Sequence, residues 1–500
     1  MGYSEVRCRL CGVSFNIGRI RRPGEPQSEG WTSVTGPDGF ALASGKYTSC
    51  TIEDGYQIAV RKPKCWMEHE RDEALINLVD NVEGEDEDDS DYYEHVAGPN
   101  CKNESGYKGY LITAKEMKGC NTLQCLVRKG SNWRPEPDDQ DFELQNNYFL
   151  TGISDHMPSR DIDSPKLIPA RHGVDRAQAD DIPCIHMYDN EVAMPFHTAC
   201  FDIFMRLSRL RFGHIDINGL MSWYNLEGEW LSVGTFPHDP NVRRSASQWW
   251  EHKTGLEYLA TNPIFIPRLG PSLRSAIQDS PSFNTRAGAF SLPEFPSIYR
   301  SSSNSRTTSS EASQDFFQAL PVELRMEVIG YLGSKEIANL RLATRAFRQL
   351  PIYLWHRLLR EEMPWLWEVW SNDVPYIWTT ISAASLKEEK AAREAIDQEL
   401  TTLRTVIRQE IPEMVEAWIQ AEQDLVAGRP NSLLDSQAAA LKTLVYSLPV
   451  ANTNWYQLYT DITRHWSDLK GLHNRRRIWK AVEEIIRRIR MYREQGKVED

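Results

Sequence analysis

The sequence predicts a multi-domain chain, a mixed α+β domain over residues 1–295 followed by all-α regions that run to residue 496. Three observations predict this. The first part mixes short β-like runs with turns and prolines. Residues 296–314 are rich in Ser and Thr with almost no apolar content. Beyond them the apolar residues recur at helical spacing. Five hundred residues suggest about three domains, and a hydrophobic content of 41% with sixteen tryptophans is enough to build cores for them.

In the first domain, the Asp38-Gly39 turn signal sits in WTSVTGPDGFALASG, and DGYQIAVRK reads as a short β-like run. The acidic run of residues 83–91 reads as a solvated loop, because it lacks the alternation and glycine of an EF-hand loop. A net charge of −13 argues against nucleic acid or an anionic membrane as partner. Nine irregularly spaced cysteines do not make a disulfide framework. No apolar run is long enough for a signal peptide or a membrane span. Val6 stands where a myristoylation motif wants Ser or Thr, and no prenylation cysteine is present. An intracellular location, cytoplasmic or nuclear, is expected.

Two cysteine-bearing motifs carry metal chemistry. Cys8-Arg9-Leu10-Cys11-Gly12 puts two thiols on a tight turn, able to aim both sulfurs at one ion about 2.3 Å away. His197-Thr198-Ala199-Cys200 opens the apolar segment FDIFMRLSRL, and residues three apart share a helix face. A knuckle followed by a ligand pair on a helix resembles a treble-clef zinc site, with Cys8, Cys11, His197 and Cys200 as its ligands. The departure is a gap of nearly two hundred residues, where small fingers have roughly twenty. Cys184 and His186 are rival ligands, and Cys65 with His69 forms another possible pair. Four protein ligands of this type favour a closed structural zinc over a catalytic one. Cys50, Cys101, Cys120 and Cys125 read as buried small side chains.

Catalytic signatures are missing: no nucleophile elbow, Walker loop, dinucleotide fingerprint or His-Glu-x-x-His. The polar stretch Asp155 to Asp161 is explained by side-chain-to-backbone bonding in a loop. Gln248-Trp249-Trp250 and the tryptophans from Trp365 to Trp370 read as core.

Residues 315–360 promise three short helices. Leu320, Leu324, Val328 and Leu332 line one face of the first, predicted over residues 321–332. Gly333 supplies its stop and Ser334 the next cap. Ile337 and Leu340 follow, and Thr344 caps a third helix with Phe347 and Leu350, ended by Pro351. Helices this short and this apolar need something to pack against. Leu320-Pro321-x-Glu323-Leu324, Val328-Ile329-x-Tyr331-Leu332, Ile337, Leu340 and Phe347 resemble the F-box. That resemblance implies docking of the Skp-family adaptor of cullin–RING ubiquitin ligases. The contacts would be Leu320, Pro321, Leu324, Ile329, Leu332, Ile337 and Leu340. Gly330 weakens the first helix by about 1 kcal/mol relative to Ala at a variable position of the motif.

Residues 361–496 are expected to be helical. Ala392, Ile396, Leu400, Leu403, Ile407 and Ile411 make a stripe broken by Pro412. Met414, Trp418, Ile419 and Leu425 make another, stopped by Gly428 and Pro430. In the last helix Ile478, Val482, Ile485, Ile486 and Ile489 share one face. Arg475, Arg476, Arg477, Lys480, Arg487, Arg488 and Arg490 are assigned to its remaining surface. A Cys-bearing first domain, an F-box and the tail motif Gly471-Leu472-His473-Asn474-Arg475-Arg476-Arg477-Ile478-Trp479 resemble large fungal F-box proteins. The resemblance implies a non-enzymatic adaptor presenting an unknown protein to the ligase. A zinc-stabilised scaffold working outside a ligase and an enzyme within residues 1–295 remain as alternatives.

Overall fold

The computed structural model describes residues 5–31, 57–61, 92–131, 133–135, 139–155, 193–227, 236–247, 250–278, 283, 315–379, 381–427, 436 and 448–498. The acidic run 83–91, the linker 296–314, Cys50, the pairs Cys65/His69 and Cys184/His186, and residues 156–161 lie outside them. The fold is mixed α and β. It divides into two units, and both are discontinuous in sequence: residues 1–265, 375–439 and 473–500 in one, residues 266–374 and 440–472 in the other. No described helix is long and apolar enough to cross a membrane.

In chain order the strands of the first unit are β1 (Arg19–Ile20), β2 (Gln57–Arg61), β3 (Tyr92–Val96), β4 (Tyr107–Lys108), β5 (Leu123–Arg128), β6 (Tyr148–Leu150) and β7 (Met194–His197). β2 falls within the β-like run DGYQIAVRK, and it pairs antiparallel with β3. β1 and β4 run parallel. The sheet that matters most has the order β6-β5-β7, all antiparallel, with Leu123 opposite His197 and Cys125 opposite Pro195. Five of the six residues of β5 are buried, four of them apolar and the fifth Gln124, so both faces of the strand are covered. Pro195 has no N–H to give and is tolerated because β7 is an edge strand.

Helix α1 (Asp141–Gln145) precedes β6. α2 (Thr198–Phe212) follows β7 directly, then α3 (Ile217–Glu227) and α4 (Pro240–Ser245). α2 is buried along its first three turns, Thr198 to Ser208, and ends where Gly213 takes a φ of +81°. Inside it Asp202 binds Arg206 Nε at 2.7 Å, and its other oxygen accepts the Tyr376 backbone N–H at 2.8 Å. Tyr376 Oη donates in turn to Gln124 Oε1 at 2.8 Å, and Thr198 Oγ1 to the Trp378 carbonyl at 2.8 Å. The segment 375–379 is thereby tied to β5 and α2, far from it in sequence.

The second unit contains α5 (Leu269–Ala276), α6 (Val322–Gly330), α7 (Ser334–Ala343), α8 (Ile352–Glu362) and α11 (Trp455–Arg464). The intervening α9 (Ala383–Glu410) and α10 (Val415–Ala427) belong to the first unit. α8 and α11 share an aromatic core, with His356 on Trp455 at 4.5 Å and Trp355 on Tyr459 at 4.9 Å. Trp365 packs 5.4 Å from Trp466. α6 is shorter than its predicted span. Pro321 precedes its first turn, and Gly333 precedes α7 instead of ending α6. The reason is α8: Arg357 donates to the carbonyls of Ile329, Gly330 and Leu332 at 2.8, 2.7 and 2.9 Å, closing the α6 C-terminus. Glu362 accepts the Ser334 N–H at 2.7 Å at the start of α7. Thr344 does cap, but only a 3-10 turn over Arg345–Phe347, and Pro351 then opens α8 instead of ending a third helix.

The last helix, α12 (Lys470–Glu494), buries Ile478, Val482, Ile485, Ile486 and Ile489 as its periodicity requires. Gly219 of α3 gives it room, since a Cβ there would lie 2.8 Å from Ile489. Arg476, Lys480, Arg487 and Arg490 are exposed as expected, but two arginines depart from expectation: Arg475 is fully buried and Arg477 is 7% exposed. Arg475 Nε donates to the Pro263 carbonyl at 2.6 Å. A cation is acceptable inside when backbone carbonyls replace its water.

The Asp202–Arg206 pair generates a prediction for the first unit. Asp202→Ala removes the buried carboxylate shared by the Arg206 guanidinium and the Tyr376 amide, and should cost about 3–5 kcal/mol in denaturant unfolding.

Candidate functional site

The turn at the N-terminus is built for its two thiols. Arg7 and Ser14 bridge as a minimal antiparallel pair. Cys8 N–H donates to the Val13 carbonyl at 2.9 Å, and Gly12 N–H to the Cys8 carbonyl at 2.8 Å. Gly12 turns the chain at a φ of +77°, and a Cβ there would meet Val242 at 2.9 Å and the His238 ring at 3.0 Å, so glycine is required twice over. Arg9 N–H donates to the Pro195 carbonyl at 3.0 Å, which fastens the turn to β7 two residues before His197.

β7 delivers His197 to the start of α2, where it occupies the N-cap position. Its side chain does not cap the helix. The imidazole turns instead toward the turn, with Nδ1 3.5 Å from Cys11 Sγ, while its backbone N–H donates to Cys8 Sγ at 3.3 Å. Cys200 lies in the first turn of the helix, three residues on from His197. The ligand atoms of Cys8, Cys11, His197 and Cys200 all lie within 4.8 Å of one another, and all four residues are buried. Four such atoms about 2.3 Å from one tetrahedral ion would be about 3.8 Å apart. The group can hold a metal ion after a small contraction.

The electrostatics agree with the donor set. Burial works to raise the Cys11 thiol, but hydrogen bonds with Cys200 and Cys8 and the neighbouring His197 outweigh it, and the thiol drops well below its ordinary value. Burial and the same sulfurs push Cys200 up. Burial works to lower His197, yet the charge of Cys8 and its contacts with Cys11 lift it to about 10. Three sulfurs in one dry volume thus recruit a positive charge, which imidazolium supplies weakly and a divalent cation supplies well. The ring is oriented by packing: Phe15 lies 4.5 Å from it, and Nε2 is buried with no hydrogen-bond partner among the described residues.

Sequence reasoning found these four residues and missed what supports them. Arg477, assigned to the surface, donates through Nη1 to the Cys11 carbonyl at 2.7 Å. His238 packs beside Gly12, and burial pushes it down to about 4. Cys101 and Cys125 are buried as expected, and Cys120 is half-buried. Cys101 is not an inert filler, since its Sγ lies 3.2 Å from His95 Nε2. Asp155 accepts from Thr122 Oγ1 at 2.8 Å and from the Ala383 N–H at 3.2 Å, a loop-pinning role. Trp250 is core, with its backbone N–H donating to Glu5 Oε2 at 2.9 Å.

The seven residues expected to contact an adaptor divide by exposure. Ile329 and Ile337 are each 1% exposed and are used up in the second unit's own core. Leu320, Leu332 and Leu340 are half-buried, while Pro321 and Leu324 are exposed. Phe316, Val322, Tyr331 and Leu342 are exposed beside them, from 42% for Val322 to 88% for Leu342.

The sequence matches no protein-family model, and no solved structure matches it. A 51-residue stretch is 55% identical to part of the ATP-dependent RNA helicase mss116, mitochondrial, of Aspergillus oryzae. The match covers 10% of this chain and 8% of the helicase, too short a span to carry an activity across.

Metal content tests the site. Cys11→Ser and His197→Ala should each abolish stoichiometric metal, read by elemental analysis of the purified protein. Gly12→Ala should weaken retention without removing a ligand, because the turn must open to admit its Cβ.

Proposed function

We propose that this chain is a substrate-recognition adaptor of a cullin–RING ubiquitin ligase, docking a Skp-family protein through the F-box-like helices α6 and α7. The observation that carries the reading is the face those helices leave open. Leu320, Leu324, Val328 and Leu332 recur at fourfold spacing along α6 and its flanks, and none of the four is fully buried. With Val322, Tyr331 and Leu342 also outward, the motif presents apolar side chains where a solvated helix would carry charge. Burying a large aliphatic contributes about 1.5–3 kcal/mol, so a few of them support a tight interface after association costs. Ile329 and Ile337, though part of the motif, serve the adaptor surface by holding the helices together. Catalysis would belong to the partner enzymes, which act on a substrate brought near.

In this reading the metal is zinc and its task is structural. Three thiolates and an imidazole make a closed tetrahedral set that leaves no position for a substrate. The turn at Cys8–Gly12, the β-strand leading into α2 and the ligand pair at the helix start are the parts of a treble-clef-like site. Such ions contribute about 10–16 kcal/mol, comparable to the stability of a domain. The first unit, so stabilised, would present the substrate.

A scaffold that uses the F-box outside a ligase is the second reading, and the same open face favours it equally. Cullin recovered together with the Skp-family protein supports the ligase, and the Skp-family protein alone supports the scaffold.

Leu324→Asp tests the proposal directly, since Leu324 is 52% exposed and its loss should leave the fold intact. Binding to the Skp-family protein should weaken about tenfold or more, read by calorimetry or pulldown with circular dichroism unchanged. Unchanged affinity in the folded variant would overturn the reading.

A further inference from the structure

The polar side of α12 nearest its start is turned inward. Asn474 and Arg477 are 3% and 7% exposed. Asn474 Nδ2 donates to the Thr261 carbonyl at 2.6 Å, and its Oδ1 accepts from Arg477 Nε and Nη2 at 3.0 and 2.7 Å. The guanidinium so braced has one direction left, and Nη1 donates to the Cys11 carbonyl at 2.7 Å. That oxygen belongs to a ligand residue, on the peptide that leads into Gly12.

Charge counting gives this contact a purpose. Three thiolates and a neutral imidazole around a divalent ion leave a net charge of about −1 in a buried volume. An uncompensated buried charge is expensive, and a neighbouring cation fixed by hydrogen bonds offsets it. Arg9, on the turn itself, has its guanidinium 5.6 Å from the Tyr224 ring. Arg477 is braced against Cys11 from another segment of the chain. We propose that Arg477, held by Asn474, is the counter-charge and tether of the metal group, so that the C-terminal helix governs how long the ion is kept. This rests on the reading that Cys8, Cys11, His197 and Cys200 hold a metal. Arg477 touches no ligand atom, so its role is positioning.

The residue types suit the task. A guanidinium fork holds the Asn474 amide oxygen and a backbone carbonyl in fixed directions, whereas an ammonium is a point charge on a flexible stem. Arg475 provides an internal contrast: it is fully buried on the same helix, and its guanidinium donates to the Pro263 carbonyl.

The experiment measures zinc release from the purified full-length protein into excess chelator, with metal content determined first. Arg477→Met should release zinc about 10–100-fold faster than the parent chain, the usual effect of removing a group that supports a ligand. Arg477→Lys should restore part of the difference by keeping the charge without the fork. Arg475→Met should lower the melting temperature while leaving the release rate within about twofold of the parent. Release from Arg477→Met at the parent rate overturns the proposal. So does equal acceleration in the Arg475 and Arg477 variants, which would mean general loosening. If Arg477→Met does not fold, cobalt-loaded Arg477→Lys is compared with the parent through its thiolate-to-cobalt absorption, and equal rates of decay overturn it. A parent protein with no stoichiometric metal overturns the metal reading itself, a result distinct from the others.

Discussion

Three thiols and an imidazole enclosed within 4.8 Å of one another impose the constraint on which the first unit depends. Without an ion the group's own electrostatics are awkward, with one thiol pushed up, one pulled down, and His197 raised to about 10 to supply positive charge. A bound cation would remove the conflict and would join segments that are 186 positions apart. Closing so long a loop costs little more than closing one of half its length, because the entropy grows only with the logarithm. The large insertion between the ligand pairs is therefore thermodynamically tolerable, whatever its appearance beside a small finger.

Much of the surrounding architecture serves that convergence. Gly12 bends the turn into a conformation other residues resist, and Arg9 fastens it to β7. β7 sits against β5 with His197 opposite Leu123, so the sheet sets where α2 begins. Asp202 then anchors the segment at Tyr376, and Asn474 with Arg477 brings α12 to the back of the turn. Polar side chains bonded to backbone carbonyls recur here because carbonyls are the acceptors a buried chain always has to offer.

The second unit follows a different logic. Its short helices are completed at their ends by α8, through Arg357 at one terminus and Glu362 at the other, and so need little help from their own sequences. The α6 stripe is only partly covered, with Leu324 exposed and Leu320, Val328 and Leu332 half-buried. The aromatic pairs joining α8 to α11 carry the packing that the motif does not.

What could be read directly was local chemistry and period. Cys-x-x-Cys-Gly, His-x-x-Cys opening an apolar helix, and the isoleucines of α12 each announce a geometry within a few residues, and the structure has each in place. The helix-end assignments at Gly333 and Pro351 were less legible, because Arg357 and Glu362 act on those ends from α8. Arg475 and Arg477 were illegible altogether. Periodicity sends arginines to solvent, and only the carbonyls of Pro263 and Cys11, more than two hundred and four hundred positions away, make the interior a better place for them. The sequence by itself determined which atoms are able to bind a metal and which helix faces are apolar. Tertiary structure alone decided which of those atoms meet, which apolar face stays uncovered and which cations are buried, because each depends on partners that no local spacing encodes.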